Sequence, residues 1–495
     1  MKTLIQFKTT IPPVLVWMLL VCIGLSPRAQ AVIPPPDGGY PGFNTAEGTK
    51  ALFSLSTGSA NTAVGWFSLG SLTTGSFNTA TGAGSLLFNT ADANTAFGAA
   101  ALLFNTAGIN NTAVGAAALL NNTIAEENTA TGAFALSSNS EGDFNTANGA
   151  WALYFNTTGE RNTAMGDSTL YSNGTGNRNT AIGNPALLAN TTGDDNTAIG
   201  AFALSSNNGG RNTATGVQAL SSNTTGIVNT ATGYQALVSN TDGTSNTADG
   251  VDALHDDTTG GGNTATGYQT LLHNDTGDYN AAIGLFALGN VTTGSNNTGL
   301  GRSAGTSITT ADNVICIGAN VDGAANVSNS CYIGQIWAKT SVSGIPVLIN
   351  AANKLGTTTS SKRFKEAIKP MDKASEALLA LKPVTFHYMK EIDPAAMQQF
   401  GLVAEEVEKV NPDLVARDKD GKPYSVRYDQ VNAMLLNEFL KEHRRNEMQE
   451  SGIQAQEATI ARQQKQIEAL TAGLQKVTAQ LELIKLAPQT ALNNQ

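Results

Sequence analysis

The segment NTANGAWALYFNTTGER, residues 145–161, is one complete copy of a unit that recurs along about half of the chain. Fifteen copies begin between Asn61 and Asn297, spaced by 17 residues and sometimes by 16, and degenerate copies open at Asn44 and Asn313. The consensus is N-T-A-x-G-x-x-A-L-x-x-N-T-T-G-x-x. A fixed period this short cannot hold a pair of helices, so it indicates a solenoid.

The residue types within the unit favour strands and turns. Threonine favours extended backbone, and the N-T-T-G end supplies Asn and Gly where turns need a positive φ. We therefore predict a mainly β fold, a repetitive parallel β-solenoid or β-roll over residues 32–312. Small residues such as Ala63 and Gly65 suit a narrow interior. The leucines expected to fill it are Leu69, Leu103, Leu120 and Leu136.

Two further features of the unit concern its faces. The residue after N-T-A varies widely, as expected if it faces solvent or a neighbouring chain, and stacked asparagines can form ladders whose side chains hydrogen-bond to one another.

One coil buries little apolar surface against an ordering cost of roughly 1–2 kcal/mol per residue. Association of several chains around an axis would supply the missing burial. About sixteen coils at roughly 4.8 Å each predict a rod of about 75–80 Å.

The repeats resemble the head repeats of trimeric autotransporter adhesins in their N-[ST]-x-x-x-G theme and small-residue interior. That resemblance implies a left-handed parallel β-roll within a trimer, although the period here is longer than is usual in those heads. Regular threonines also suggest an ice-binding face. The variable position beside N-T-A argues against it, because it holds Phe97, Asn148 and Asp249 in different copies.

Composition excludes several classes of function. The net charge is -10, only 14% of residues are charged, and residues 44–313 contain five basic side chains. Phosphate binding needs clustered Lys and Arg, so we expect no nucleic-acid partner. The four histidines are scattered and pair with no cysteine, so neither a metal nor a cofactor is expected. The repeats offer no recurring carboxylate pair and few aromatics, which argues against an enzyme acting on external glycans.

The N-terminus has the pattern of an export signal. Lys2 and Lys8 precede an apolar stretch too short to span a membrane comfortably, and Ala29 and Ala31 supply an A-x-A cleavage site. We predict a signal peptide over residues 1–31, an uncleaved anchor being the alternative. No later stretch is long and apolar enough to span a bilayer. The mature chain is therefore predicted to be secreted or held at the cell surface.

Export would place Cys316 and Cys331 in an oxidising compartment. They lie about one repeat apart, so a disulfide between them is conceivable, and two buried thiols are the equal alternative. From residue 313 the repeat decays. Residues 313–359 contain short apolar runs joined by glycines, which predict a β neck.

A different kind of sequence begins at residue 360. Four motifs follow in order over about 80 residues and closely resemble the intramolecular chaperone of phage endosialidases and tail spikes, the S74 peptidase family. The matching residues are Ser360, Arg363, Lys365 and Ile368; Lys382, Pro383, Val384 and Phe386; Gly401, Ala404, Glu405, Glu406 and Val407; Val426 and Tyr428. The resemblance covers residues 360–445 and implies a small α+β domain.

The resemblance also implies an activity. In that family the domain drives trimerisation of the β-rich fibre before it and then cuts itself off at its own N-terminal boundary. Carried over, Ser360 would attack the peptide bond after Thr359, and Lys365 would accept its proton. Ser361 stands where the family has Asp, which leaves open whether cutting occurs.

The implied chemistry has physical requirements. A serine hydroxyl is a weak nucleophile that needs an adjacent base, and a lysine acts as a base only when it is neutral. Desolvation at a trimer interface and the neighbouring cations Lys362 and Arg363 would favour the neutral form. The alternative interpretation is that these basic residues form the solvated start of a helix.

The C-terminal region has a heptad pattern. Ile453, Ile460, Ile467, Leu474 and Leu481 recur every seven residues, and a second row follows three residues after each. Five heptads in phase predict a coiled coil over residues 446–487, and isoleucine in one core row favours more than two strands. A lone amphipathic helix on the domain surface is the alternative. Residues 488–495 are expected to be a frayed tail.

Together these patterns predict an exported homotrimeric fibre or adhesin-like surface protein. Its partners would be its own copies and a cell-surface or matrix ligand. Its only predicted enzymatic activity is self-cleavage between Thr359 and Ser360, with no external substrate. The alternative is a prophage-derived tail fibre or spike protein with the same chaperone domain, against which the predicted signal peptide argues, because virion parts assemble in the cytoplasm.

Overall fold

The structure, a computed structural model, describes residues 40–339, 341–342 and 344–485. These residues separate into two compact units, one ending at Lys339 and one beginning after it. The predicted signal peptide, residues 1–31, and the predicted tail, residues 488–495, lie outside the described residues.

The first unit consists of one parallel sheet whose strands follow one another in chain order. The strands are β1 (Thr45–Glu47), β2 (Thr62–Val64), β3 (Thr79–Thr81), β4 (Thr95–Phe97), β5 (Thr112–Val114), β6 (Thr129–Thr131), β7 (Thr146–Asn148), β8 (Thr163–Met165), β9 (Thr180–Ile182), β10 (Thr197–Ile199), β11 (Thr213–Thr215), β12 (Thr230–Thr232), β13 (Thr247–Asp249), β14 (Thr264–Thr266), β15 (Ala281–Ile283), β16 (Thr298–Leu300), β17 (Val314–Ile317) and β18 (Ser330–Ile333).

The register of the strands confirms the parallel β-solenoid. Each copy pairs in frame with the next, so that Thr146 lies beside Thr163 and Ala147 beside Ala164. Eighteen strands make seventeen steps, which at roughly 4.8 Å each correspond to about 80 Å. The last two strands, Val314–Ile317 and Ser330–Ile333, continue the same sheet into the segment predicted as a neck.

The interior of each coil is small, as expected. The alanine of N-T-A, the alanine at position 8 and the leucine at position 9 are fully buried, as Ala147, Ala152 and Leu153 show. For two of the four leucines predicted to fill the interior, the prediction is wrong. Leu103 and Leu120 are only partly buried, because they occupy position 10, and the buried leucines of those coils are their predecessors, Leu102 and Leu119.

Each coil closes through left-handed backbone at residues other than glycine, which the residue types did not predict. Position 9 has a positive φ although it holds leucine, as at Leu153 with φ 52°, and positions 7 and 17 do the same at Trp151 and Arg161. Left-handed backbone is costly for residues other than glycine. A closed turn of 17 residues needs these sharp changes of direction, and the backbone hydrogen bonds to both neighbouring coils hold them in place.

The two cysteines of the solenoid are both free. Cys331 pairs in register with Ile315, so its side chain alternates with that of Cys316 across the two strands. Cys316 is buried and Cys331 is exposed. The conceivable disulfide is therefore not formed in this structure, and the expectation of two buried thiols holds only for Cys316.

The second unit contains three antiparallel pairs and two α-helices. Its elements are β19 (Leu348–Ile349), β20 (Leu355–Gly356), 3₁₀ helices at Lys362–Phe364, Asp372–Ala380 and Pro412–Leu414, β21 (Val384–Phe386), β22 (Gln399–Gly401), α1 (Ala404–Val410), β23 (Val415–Arg417), β24 (Pro423–Val426) and α2 (Tyr428–Lys485). Its core is formed by Ala404, Val407, Leu414, Val415, Val426 and Met434.

Candidate functional site

The predicted cleavage point lies in an accessible stretch of chain. Residues 357–361 have no regular secondary structure and are exposed. The backbone N–H of Ser361 donates to the side-chain oxygen of Thr359 at 3.4 Å, and a single 3₁₀ turn follows at Lys362–Phe364. The Lys365 N–H donates to the Lys362 carbonyl at 3.1 Å and closes that turn. The bond between Thr359 and Ser360 is therefore not shielded by its own segment.

The two predicted catalytic side chains are both exposed, and they lie five residues apart across this turn. Within the described residues no hydrogen bond joins the Ser360 hydroxyl to the Lys365 ammonium group. The Arg363 guanidinium lies over the Phe364 ring, 4.7 Å from its centroid. Nucleophilic catalysis needs the serine and its base within hydrogen-bonding reach. The single chain does not show that contact, and the roles of Ser360 and Lys365 stay predictions.

Several motif residues have structural roles. Ala404 and Val407 are the buried residues of α1, and Val426 is buried at the end of β24. The Tyr428 hydroxyl accepts a hydrogen bond from the Leu402 N–H at 3.0 Å and so joins the start of α2 to the segment before α1. These parts of the motifs therefore specify the packing of the unit.

A second serine, which the sequence did not single out, lies in a polar cluster with a lysine. The Ser375 hydroxyl is fully buried and donates to a carboxylate oxygen of Glu438. It accepts hydrogen bonds from Asn437 Nδ2 at 2.7 Å and from Lys441 Nζ at 3.3 Å. Lys441 Nζ also lies 2.7 Å from Glu438 and 3.8 Å from Glu376.

This cluster connects the 3₁₀ helix Asp372–Ala380 to α2. Hydrogen bonds from Lys441 and then from Ser375 hold the pKa of Glu438 below its usual range. The buried serine has no access to a peptide substrate, and the Lys441 ammonium group is paired with carboxylates. We therefore assign the cluster a structural role. Its partners lie more than 60 residues apart in the chain, so no local pattern could have revealed it.

The long helix α2 carries an apolar seam that nothing in the described chain covers. The seam comprises Ile453, Ile460, Ile467, Leu470, Leu474, Val477, Leu481 and Ile484, each more than half exposed. Apolar residues in heptad register on an exposed helix are typical of a strand of a coiled coil. The structure confirms a helix over residues 446–485, and residues 486–487 of the predicted segment lie outside the described residues. The coiled coil itself stays a prediction.

Five aromatic rings gather on three consecutive coils of the solenoid. Phe134 stacks on Trp151 with ring centroids 4.9 Å apart, and Tyr154 stacks on Tyr171 at 5.3 Å. Trp151 lies 5.3 Å from Tyr154, and Phe155 meets Tyr154 edge to face at 4.7 Å. The rings occupy positions 7, 10 and 11 of the unit, so they stack along neighbouring columns and stabilise the coils against one another.

The described residues place no three His, Cys, Asp or Glu side chains as a group that could bind a metal ion. None of the helices in the described ranges combines the length and the apolar character that crossing a membrane requires.

Comparison with known families gives one match, over a segment of the second unit. Residues 360–416 match the Peptidase S74 family, described as chaperone of endosialidase. The S74 match begins at Ser360, directly at the predicted cleavage point. Neither a curated protein nor a solved structure matches the chain.

The S74 family is associated with trimer assembly. An S74 segment placed after a β-solenoid indicates a protein of the tail-spike or fibre type, extracellular or associated with a phage.

Proposed function

We propose that the chain is the subunit of an exported homotrimeric fibre. In this proposal the S74 segment directs assembly of the solenoid into a trimer, and α2 holds the three C-terminal ends together as a coiled coil. The solenoid acts as the shaft or head that contacts a cell surface or a matrix.

One observation carries the proposal: the S74 match lies between a parallel β-solenoid and a helix with an uncovered heptad seam. A helix of 58 residues extends about 87 Å and cannot bury its own seam. Leaving isoleucines and leucines in water is unfavourable by about 25 cal/mol per Å² of apolar surface. Two further copies of the helix would cover these residues.

The assembly proposal is tested by the mass of the particle. A variant with Ser360→Ala keeps the chain intact, and light scattering after gel filtration should give three times the 51.2 kDa of one chain, less any cleaved signal peptide. Replacing Ile460 and Ile467 with Asp should shift the mass towards that of a single chain. The matched control replaces Thr459 and Thr471 with Asp and should leave the mass unchanged. The hydroxyls of these threonines donate to carbonyls of their own helix. A monomeric parent protein would contradict the proposal.

We further propose that the S74 segment releases itself by cleavage between Thr359 and Ser360. The exposure of both Ser360 and Lys365 in a single chain supports a mechanism in which assembly brings them together. In the trimer the serine hydroxyl would lose its proton to the lysine and attack the Thr359 carbonyl carbon. The peptide C–N bond would then break, the lysine would return the proton to the leaving amine, and water would hydrolyse the ester that remains.

Cleavage is tested by denaturing gel electrophoresis of purified protein. The parent chain should yield a fragment of residues 360–495, and Ser360→Ala and Lys365→Ala should abolish it. Ser361→Ala is the matched control, because it alters the neighbouring hydroxyl and should leave the fragment in place. An uncut parent chain would contradict self-cleavage without affecting the assembly proposal.

The second candidate is a prophage-derived tail fibre or spike protein, favoured by the description of the matched family as a chaperone of endosialidase. The two candidates differ at the N-terminus. Export predicts that the purified protein begins at Val32 after removal of residues 1–31. A virion protein made in the cytoplasm would retain those residues, so N-terminal sequencing distinguishes the two.

A further inference from the structure

In the units that begin between Asn78 and Asn263, the twelfth residue forms a buried ladder of polar side chains inside the solenoid, from Asn89 to Asn274. Asn156 Nδ2 donates to Oδ1 of Asn139 in the preceding coil at 2.7 Å, and Asn173 Nδ2 donates to Oδ1 of Asn156 at 2.8 Å. The second N–H of Asn156 donates to the carbonyl of Gly159 in its own coil at 3.0 Å. Each rung thus needs a side chain that both donates and accepts, and an amide does so.

The ladder is interrupted chemically at one rung. Asp257 occupies the twelfth position of its coil, between Asn240 and Asn274, and its side chain is fully buried. Towards the next coil the ladder is intact, because Asn274 Nδ2 donates to Asp257 Oδ1 at 2.7 Å. Towards the preceding coil it is broken, because Asn240 Oδ1 receives no hydrogen bond. Among the described residues it is the only buried side-chain nitrogen or oxygen atom without a hydrogen-bond partner.

We propose that Asp257 is protonated in the folded solenoid and that its carboxylic acid O–H donates to Asn240 Oδ1. A carboxylate has only acceptors, whereas a carboxylic acid has one O–H donor. The neutral acid has nearly the shape of the amide that it replaces, so its O–H supplies the donor that Asn240 Oδ1 lacks. Asp257 is therefore a built-in proton-binding site of the solenoid.

The surroundings of Asp257 favour the neutral acid. Burial raises its pKa to about 8, against the effect of the hydrogen bond from Asn274, and the carboxylates of Asp275 and Asp278 add to the rise. No Lys or Arg occurs between Arg211 and Arg302. The neighbouring titratable groups are Asp256, His255, His273, Asp275 and Asp278. The Nδ1 atoms of both histidines lie 2.7 Å from carboxylate oxygens of Asp256.

The consequence is a coil whose stability depends on protonation. An acid with a raised folded-state pKa stabilises the fold fully below its unfolded value of about 3.9, and the stabilisation is lost as pH rises towards 8. Above that range a charged carboxylate would face Asn240 Oδ1 inside the solenoid. Residues 246–262 should therefore open more readily in alkaline solution.

The test compares the parent protein with Asp257→Asn, which removes the proton-binding group and restores the amide ladder. Hydrogen–deuterium exchange is followed by mass spectrometry on the full chain at pH 6 and at pH 9. Comparison at one pH removes the intrinsic pH dependence of exchange. The ratio of parent to variant exchange in peptides covering residues 246–262 should rise by about 10²-fold between the two pH values. The control Asp249→Asn removes an exposed carboxylate of the same coil, and its exchange should show the same pH dependence as that of the parent.

A ratio that is the same at both pH values would overturn the proposal. Infrared spectroscopy gives a second readout that does not depend on stability. At pH 6 the parent should show the carbonyl stretch of a protonated carboxylic acid, which disappears in Asp257→Asn and persists in Asp249→Asn. A parent spectrum without that band would likewise overturn the proposal.

Discussion

Asn162 is joined to Asn145, one turn of the solenoid away, by two hydrogen bonds to the same oxygen. The side-chain Nδ2 of Asn162 lies 3.1 Å from Asn145 Oδ1, and the backbone N of Asn162 lies 3.0 Å from it. Asn179 repeats both contacts on Asn162. The first asparagine of each unit thus satisfies a backbone donor of the next, so each coil positions its successor.

We expect Asn162→Ala to destabilise the solenoid strongly. It removes the acceptor of the buried Asn179 N–H and the donor to the Gly176 carbonyl, which lies 2.8 Å from Asn162 Nδ2. Each buried group left without a partner costs roughly 1–3 kcal/mol. The loss should appear as a lower urea midpoint by circular dichroism. Met165→Ala, an exposed change in the same coil, should shift it little. Equal shifts would show that the ladder adds no stability.

The glycine at position 5 has a separate role, which Gly132→Ala tests. Gly132 has a φ of 131°, and an added Cβ would lie 2.5 Å from the carbonyl oxygen of Gly149 in the next coil. The φ alone costs roughly 1–3 kcal/mol, and the clash is with backbone that cannot rotate away. We expect a lower thermal midpoint and less soluble protein.

Gly174→Ala is the matched control for that substitution. A Cβ at Gly174 would meet nothing closer than the Thr191 carbonyl oxygen at 3.6 Å. The change should be neutral or stabilise by about 0.4–1 kcal/mol through the unfolded chain. If both variants behaved alike, close stacking of the glycine column would not be a constraint on the fold.

The sequence predicted the solenoid because its period and its small residues repeat, and repetition needs no knowledge of distant contacts. It also predicted asparagine ladders. It did not predict the positive φ at Leu153, because leucine carries no local preference for that conformation. The two misplaced leucines, Leu103 and Leu120, arose because two leucines stand side by side in those copies and only the frame separates them.

The candidate site was less predictable. The resemblance at residues 360–445 pointed to Ser360 and Lys365 because motif spacing is local. The contact between Ser375 and Glu438 joins residues 63 positions apart, so it depends on how the 3₁₀ helix docks on α2. A lone aspartate in place of asparagine at residue 257 was visible in the repeat. Its meaning required the knowledge that position 12 is buried.

The two solenoid cysteines should differ sharply in reactivity. Burial, with smaller effects of Asp322 and Cys331, raises the pKa of the Cys316 thiol to about 11, and the thiolate is the reactive form. Iodoacetamide at pH 8 should therefore modify exposed Cys331 and leave Cys316 unmodified until the chain is unfolded. Peptide mapping by mass spectrometry gives the result, with Cys331→Ser as the control. Equal labelling of both thiols in the native protein would contradict the strand register.

The last prediction concerns the polar cluster that docks the 3₁₀ helix Asp372–Ala380 on α2. Ser375→Ala removes the buried hydroxyl that Asn437 and Lys441 contact, and we expect a loss of roughly 1–3 kcal/mol in the stability of the second unit. Urea unfolding followed by the helical circular dichroism signal measures it. The control is Ser425→Ala, since Ser425 is exposed on β24.

The same cluster predicts a pH dependence with a definite sign. Because the pKa of Glu438 is lowered by Lys441 and Ser375, its carboxylate stabilises the fold above the unfolded value of about 4.3, and that contribution is lost as pH falls through the lower folded pKa. The difference between the parent and Ser375→Ala should therefore narrow in acid. A difference that stayed constant down to low pH would mean that the serine acts by packing and not through the ionised carboxylate.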